Sequence, residues 1–531
     1  MAEREHDVDV LIVGAGFGGM YMLHRLRSLG FTAKVFEAAA DVGGTWYWNR
    51  YPGARCDVES VEYSYSFDSQ LQQDWVWTER YAGQPEILRY AQHVADRFDL
   101  RRDIRFETRV LSAEFDERAT EWTVATDDGA TTTAQFLVMA VGCLSSTNLP
   151  KFPGLDTFAG PWYHTGTWPH EGVDFTGKRV AMVGTGSSAV QSIPVIAEQA
   201  AHLTVFQRTP TYTVPAHNRP LPADELEEIK ANYDALREAN LQMTAAFGAR
   251  IPRGLVGALE VSAEERDLEF ARRWDIGGFA YLGGYTDHLL DAASNDTAAA
   301  FVRHKIAEIV NDPAVAALLM PTHVIGCKRL VFDTGYFDTF NRSNVSLVDV
   351  SRHPIEITPD GIRTGGVDYP VDAIAFATGF DAMTGSLLKI DIRAPHTSLQ
   401  QAWKAGPRTY LGLSVHGLPN MFTITGPGSP SVLTNMIVSI QQHVEWITDC
   451  MSSLRSRGVH RVEATQAAQD GWVEYVNAVA GMTLFPTCNS WYLGANVPGK
   501  TRVFMPLPGF PSYAEQCASV AANDYQGFVL G

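Results

Sequence analysis

One unit constrains this chain more than any other feature, and it occurs twice: a short apolar run that breaks into closely spaced glycines and continues with helical periodicity. The first copy has a strand at Val8 to Val13, a turn at Gly14-Ala15-Gly16-Phe17-Gly18-Gly19, a helix predicted from Gly19 to Leu29 and a second strand at Ala33 to Glu37. The second copy has a strand at Arg179 to Val183, a turn at Gly184-Thr185-Gly186-Ser187-Ser188-Ala189, a helix from Ala189 to Gln199 and a strand at His202 to Phe206. Glycine is needed where a strand turns sharply into a helix, where backbone must approach a pyrophosphate, and where helix packs closely on strand. The helix N-terminus then aims amide N–H groups at the anion. Gly14, Gly16 and Gly19, and then Gly184, Gly186 and Ala189, therefore predict two phosphate cradles. The expected fold class is α/β, with two Rossmann-like dinucleotide-binding domains.

The residue closing each unit discriminates between ligands. Glu37 stands at the end of the second strand, close to the roughly 20-residue spacing at which a carboxylate accepts ribose hydroxyls. The corresponding place in the second unit holds Gln207, with Arg208 and Thr209 beside it. A carboxylate repels a 2′-phosphate, whereas an arginine offers it a charge-assisted fork. The first site thus suits FAD or NAD and the second NADP, with a hydroxyl contact from Thr209. A nicotinamide delivers hydride, and the usual partner that holds two electrons is a flavin. FAD and NADPH are the expected cofactors.

The electrons need a destination. The six cysteines, Cys56, Cys143, Cys327, Cys450, Cys488 and Cys517, lie far apart with no CxxC pair, so the sequence predicts reduced thiols and neither a metal site nor the redox dithiol of a disulfide reductase. Dioxygen is the remaining acceptor. Lys and Arg number 42 against 60 Asp and Glu, a formal charge of −18, which excludes nucleic acid and anionic membrane as expected partners. The apolar stretch Val10 to Leu23 is broken by glycines and shorter than the roughly 18 residues of a membrane span, and the acidic N-terminus is unlike a signal peptide. A cytoplasmic protein, a monomer or weak homo-oligomer, is expected. Its 531 residues are three or four domains' worth at about 100–200 each. Between about Asp224 and Asp312 charge density rises and Leu, Ala and Glu recur at helical spacing, so this segment reads as a helical insertion.

At Phe158, Gly160, His164, Thr165, Trp168 and Pro169 the chain carries the pattern FxGxxxHTxxWP. GGTWxxxxYPGxxxD stands at Gly43, Gly44, Thr45, Trp46, Tyr51, Pro52, Gly53 and Asp57, and a segment ending in ATGF runs from Asp372 to Phe380. With these three patterns the chain resembles the Baeyer-Villiger monooxygenases over effectively its whole length. YPGARCDVES, TYLGLS, GPGSPSVLTNM and WYLGANVPGK look like the phenylacetone and steroid monooxygenase branch. The nearest alternative, a flavin N- or S-oxygenase of the microsomal or siderophore type, has a different pattern after the histidine.

The resemblance implies that NADPH reduces FAD, that dioxygen adds to give a flavin C4a-peroxide, and that this attacks a ketone to form a tetrahedral adduct that rearranges to an ester or lactone. Sulfoxidation is an expected side activity. By the same resemblance Arg329 is the permanent cation over the reacting centre, Asp57 orients it, and Lys328 shares the 2′-phosphate with Arg208. Gly44, Thr45 and Trp46 belong to the FAD site. Trp491 closes over NADP, and the histidine motif couples the two nucleotide domains, His164 acting as a hinge rather than a base. Trp168 is open to both a core and a cofactor reading. The substrate pocket is expected from Ser431, Val432, Leu433 and Met436 with the loop at Leu144 to Ser146, and favours aryl, cyclic or bulky ketones. In the tail helix, expected over Ile437 to Met451, Gln442, His443 and Glu445 are expected to face solvent. The expected division is FAD-binding at 1–146 and 382–531, NADP-binding at 147–214 and 325–381, and the helical insertion at 215–324, with no metal.

Overall fold

Val8–Val13, the strand predicted to lead the chain, is the centre of a nine-stranded sheet in the computed structural model, which describes residues 6–495 and 509–531. It pairs in parallel with Ala33–Phe36 on one side and Thr131–Met139 on the other. Every residue of this strand except Asp9 is buried, as a parallel strand covered on both faces requires. Beyond Thr131–Met139 the sheet turns antiparallel through Glu121–Thr126 and Val110–Asp116. Chain from far along the sequence completes it: Met421–Thr423 adds to Thr131–Met139, and Asp391–Ala394 adds to Val110–Asp116, both in parallel. Helix Phe17–Ser28 covers one face and packs against the long helix Met436–Ser456.

The second sheet has five strands, all parallel, in the order Val345–Asp349, His202–Gln207, Arg179–Val183, Ala373–Phe376 and Trp162–His164. Its crossover helix, Ser187–Gln199, buries Val190, Ile193 and Ile196 on the sheet. The helical segment forms Ala223–Ala231, Tyr233–Leu241, Ala263–Ile276, Ala292–Ile309 and Pro313–Leu319. Ala263–Ile276 opens on a reciprocal capping box between Ser262 and Glu265. Ala298, Ala299, Val302 and Ile306 enter the same apolar core as the second sheet, so the insertion is packed onto that layer.

Two linkers join the sheets and run side by side. Asp381 N–H donates to the Ser146 carbonyl at 2.8 Å, Asn148 N–H to Gly379 at 3.0 Å and Met383 N–H to Cys143 at 2.7 Å. Among the described residues no helix is long and apolar enough to cross a membrane.

Three expectations need correction. Both glycine-turn helices begin two residues earlier than predicted, at Phe17 and Ser187, because Gly16 and Gly186 inside the motifs are the capping residues. His443 is fully buried: its Nδ1 accepts from Thr425 N–H at 2.9 Å and its Nε2 meets the Tyr513 hydroxyl at 2.9 Å. Glu445 accepts from the Tyr21 hydroxyl at 2.8 Å, so the helix is enclosed on faces that its polar residues marked as open. Finally, Cys327 and Cys488 form a disulfide across 161 residues, while Cys56, Cys143, Cys450 and Cys517 are free and buried. Sequence distance hid that pairing.

Candidate active site

The first cradle is built by backbone proximity. Gly14 has φ +102°, and a side chain there would strike the Ala140 carbonyl at 2.6 Å. At Gly19 a Cβ would lie 1.8 Å from the Gly14 oxygen. Gly44, at φ +53°, presses on Gly16 so closely that a Cβ would meet its Cα at 2.9 Å. The GGTW motif therefore folds over the glycine turn because neither partner carries a side chain. The helix behind has no side-chain cap and no acidic residue in its first turn, which leaves its amides free for an anion. Glu37 is buried beside them, its carboxylate accepting from Ala15 N–H at 2.6 Å and Ala39 N–H at 2.7 Å. Burial pushes its pKa up, and the two amide bonds oppose that shift.

A cavity of about 870 Å³ opens from this cradle. Its lining includes Gly14, Gly16, Glu37, Gly44, Thr45 and Trp46 of the first cradle together with Asp57, Arg329, Trp491, Val432, Met436 and the Leu144 to Ser146 loop. The Arg329 guanidinium donates to both oxygens of Asp57, Nε to Oδ2 at 2.6 Å and Nη2 to Oδ1 at 2.7 Å, and through Nη1 to the Val432 carbonyl at 2.8 Å. It lies over the Phe279 ring at 4.6 Å and hydrogen-bonds the Tyr492 hydroxyl. Burial disfavours the charge, but Asp57 outweighs that penalty and drives the arginine pKa above its ordinary value. The cation is permanent. Asp57 and Arg329 form the pair that the resemblance implied; Phe279 was missed because an aromatic from the insertion carries no motif, and Tyr492, though part of WYLGANVPGK, was given no role. Ser431 is fully buried outside the cavity lining, and Leu433 packs into the adjoining apolar cluster with Cys143, Met383 and Phe485, so only Val432 and Met436 of the four expected pocket residues face the cavity. Of the GANVPGK stretch, only Gly494 and Ala495 fall within the described residues.

The second cradle repeats the construction. Gly184 has φ +114° and would clash with the Ala377 carbonyl at 2.6 Å, Gly186 faces open space, and Ala189 is buried against the sheet. Its helix also lacks a side-chain cap and first-turn acids. Arg208 and Thr209 are exposed at the end of His202–Gln207, and the Thr209 carbonyl accepts from Thr185 Oγ1 at 2.9 Å. Lys328 comes close enough to Arg208 that, after burial, its repulsion helps lower the lysine pKa. The two cations thus converge at the end of this strand.

The two cradles touch through the YPG part of the first motif. Tyr51 Oη donates to Gln191 Oε1 at 2.9 Å, Gln191 Nε2 to the Arg55 carbonyl at 3.1 Å, and Gly53, at φ +77°, sits where a Cβ would lie 2.2 Å from the Gln191 carbonyl. The histidine motif grips the linkers. His164 Nδ1 accepts from Gly166 N–H at 3.1 Å, so Nε2 carries the proton toward Thr378 Oγ1 at 3.1 Å, and Thr378 donates on to the Asn148 carbonyl at 2.8 Å. Burial lowers its pKa to about 4. Gly160 leaves room for Phe158 and the Asp372 carbonyl, Thr165 is buried, and Pro169 accepts the turn bond from Gly172. Trp168 is 2% exposed and packs on Tyr163 and Phe175, which settles it as a core residue.

Two uncapped dinucleotide cradles meeting at one cavity, with a fixed cation over it, define a two-dinucleotide flavoprotein oxidoreductase. Residues 7–224 match the FMO-like family of flavin-binding monooxygenase-like proteins. The chain is 43% identical to a Baeyer-Villiger monooxygenase of Pseudooceanicola batsensis, covering 98% of this chain and 96% of that protein. It is 42% identical to a cyclohexanone 1,2-monooxygenase of an Acinetobacter species, covering 99% and 97%. A solved structure of oxidised steroid monooxygenase bound to NADP superposes with a TM-score of 0.94 at 52% identity, covering 98% of this chain and 99% of that one. The chain belongs to the Baeyer-Villiger monooxygenase family, which sets aside both the disulfide-reductase and the microsomal or siderophore readings.

Proposed function

We propose that this protein is an NADPH- and dioxygen-dependent FAD monooxygenase that inserts one oxygen atom beside the carbonyl of aryl, cyclic or bulky ketones to give esters or lactones. The carrying observation is the Arg329 guanidinium, fixed by both Asp57 oxygens and the Val432 carbonyl in the wall of the same cavity that the first cradle lines. FAD held by Gly14, Gly16, Gly19, Glu37, Gly44, Thr45 and Trp46 supplies two-electron chemistry, accepting hydride from NADPH and activating dioxygen. Arg329 lowers the energy of negative charge that develops on the reacting oxygens, including the oxyanion formed when the ketone carbon becomes tetrahedral. Asp57 holds the fork in one orientation and balances its buried charge. Gly184, Gly186, Ala189, Arg208, Thr209 and Lys328 hold NADP, and Trp491 closes on it. His164 moves no proton: both ring nitrogens are engaged and it stays neutral near pH 7.

Strand membership supports an FAD-binding division at 1–146 and 382–531 around an NADP-binding one at 147–214 and 325–381, with 215–324 inserted. A cytoplasmic monomer or weak homo-oligomer fits the −18 formal charge. The test is NADPH oxidation across a ketone panel with thioethers included, each product weighed for one added oxygen. Ketone-dependent esters are expected, and a panel yielding hydrogen peroxide alone overturns the reading. Arg329→Ala should keep NADPH-driven flavin reduction and lose about 10²–10³-fold in ester formation.

A further inference from the structure

The Cys327–Cys488 bond joins two segments that both reach the cavity. Cys327 immediately precedes Lys328 and Arg329, and Cys488 lies three residues before Trp491 and four before Tyr492. The two cysteines are 0% and 5% exposed and share one apolar cluster with Cys143, Met383, Val432 and Phe485. Neither lines the cavity, but Arg329 and Trp491 both do. Among the described residues the Cys488 segment is also held by Leu484 N–H donating to the Leu289 carbonyl at 2.8 Å and by Tyr492 resting against Arg329. The disulfide ties the arginine segment covalently to the tryptophan segment across 161 residues of chain.

We propose that Cys327–Cys488 is a redox-sensitive clamp on the active site, which when closed holds the Trp491 segment against the Arg329 segment and when reduced releases it. This rests on the reading of Trp491 as the residue that closes on NADP. The clamp closes at the expense of hydrogen peroxide. One thiolate attacks a peroxide oxygen and breaks the O–O bond to give a sulfenic acid and hydroxide; the second thiol then displaces the sulfenic oxygen and forms the S–S bond. In sum, two thiols and one peroxide give one disulfide and two waters, with two electrons passing from sulfur to oxygen. A dithiol reductant reverses it by exchange, returning two electrons and two protons to the cysteines. Because the sulfurs are buried, exchange proceeds as the Trp491 segment lifts. The clamp thus closes under the conditions in which oxygen is being lost as peroxide.

The experiment uses the FAD-loaded enzyme in three forms: untreated, reduced with dithiothreitol and freed of it, and reduced then treated with hydrogen peroxide. Thiols counted after denaturation without reductant should number four in the peroxide-treated enzyme and six in the reduced one, the four being the cysteines free in the structure. The Kd for NADP+, read from the flavin spectrum, should be about fivefold or more higher in the reduced form and return on reoxidation. Cys488→Ser and Cys327→Ser should both match the reduced form and ignore peroxide. Six thiols after peroxide, or one Kd for NADP+ in all forms, overturns the clamp. Neither readout requires ester formation, so a failure of the ketone panel and a failure of the clamp are distinguishable.

Discussion

Arg208 and Lys328 show how a site is assembled one residue at a time. The first was readable from its register behind a glycine turn, and the second only by family resemblance. The fold makes them neighbours, and Lys328 carries the cost as a pKa depressed by burial and by Arg208. An anion between them removes that repulsion. A hydrogen bond to a charged group contributes roughly 1.5–3 kcal/mol, so Arg208→Ala should raise KM for NADPH about 10- to 100-fold and leave KM for NADH nearly unchanged. Steady-state kinetics with both nucleotides decides it, and an unaltered preference refutes the 2′-phosphate role. Phe279 and Tyr492 were illegible at this scale. Each touches Arg329 from a distant segment; nothing local distinguishes Phe279 from other aromatics, and the WYLGANVPGK motif that holds Tyr492 does not say that it reaches the arginine.

At the scale of elements, the strands of the two glycine-turn units were legible because each is a short, largely buried apolar run beside a turn, whereas the antiparallel strands Val110–Asp116 and Glu121–Thr126, which alternate buried and more exposed residues, were not read. Arg179–Val183 has the predicted ends, and His202–Gln207 runs one residue further. The tail helix was found but its environment was not. It is enclosed by Phe17–Ser28 on one side and Phe510–Ala522 on another, so polar side chains such as His443 are buried in pairs. The YPG motif acquires its meaning only from the helix it meets. Gly53 combines a left-handed φ with contact to the Gln191 carbonyl, and Gly53→Ala should cost about 1–3 kcal/mol in strain and push the cradles apart. A lower Tm of the FAD-loaded protein together with a raised KM for NADPH is expected; a Tm loss with unchanged KM shows that the contact serves stability alone.

For the whole molecule, buried histidines set the response to acid. Burial lowers His164 and His288 from an ordinary 6.5 to about 4 and His443 to about 3. Below pH 6.5 the unfolded chain takes up protons that the folded one refuses, so stability is full above 6.5 and falls with acid, by up to roughly 1.4 kcal/mol per unit for each histidine. Glu62, which burial and then Glu59 raise to about 7, acts in the opposite sense between pH 4.5 and 7. The difference between variant and parent therefore isolates the histidine. His443→Gln, which keeps an acceptor for Thr425 and a donor for Tyr513, should flatten the decline of Tm between pH 6.5 and 4.5. An identical slope refutes this.

The sequence by itself determined the two cradles, their order and the chemistry of their last residues, because each depends on backbone geometry or charge that a few neighbouring residues carry; the Asp57–Arg329 pair, 272 residues apart in the chain, was legible only by family resemblance. Tertiary structure alone decided that Met421–Thr423 closes the first sheet, that His164 ties both linkers, that Trp168 is core, and that Cys327 meets Cys488. Those are contacts between segments far apart in the chain, and periodicity and spacing record only what lies within one.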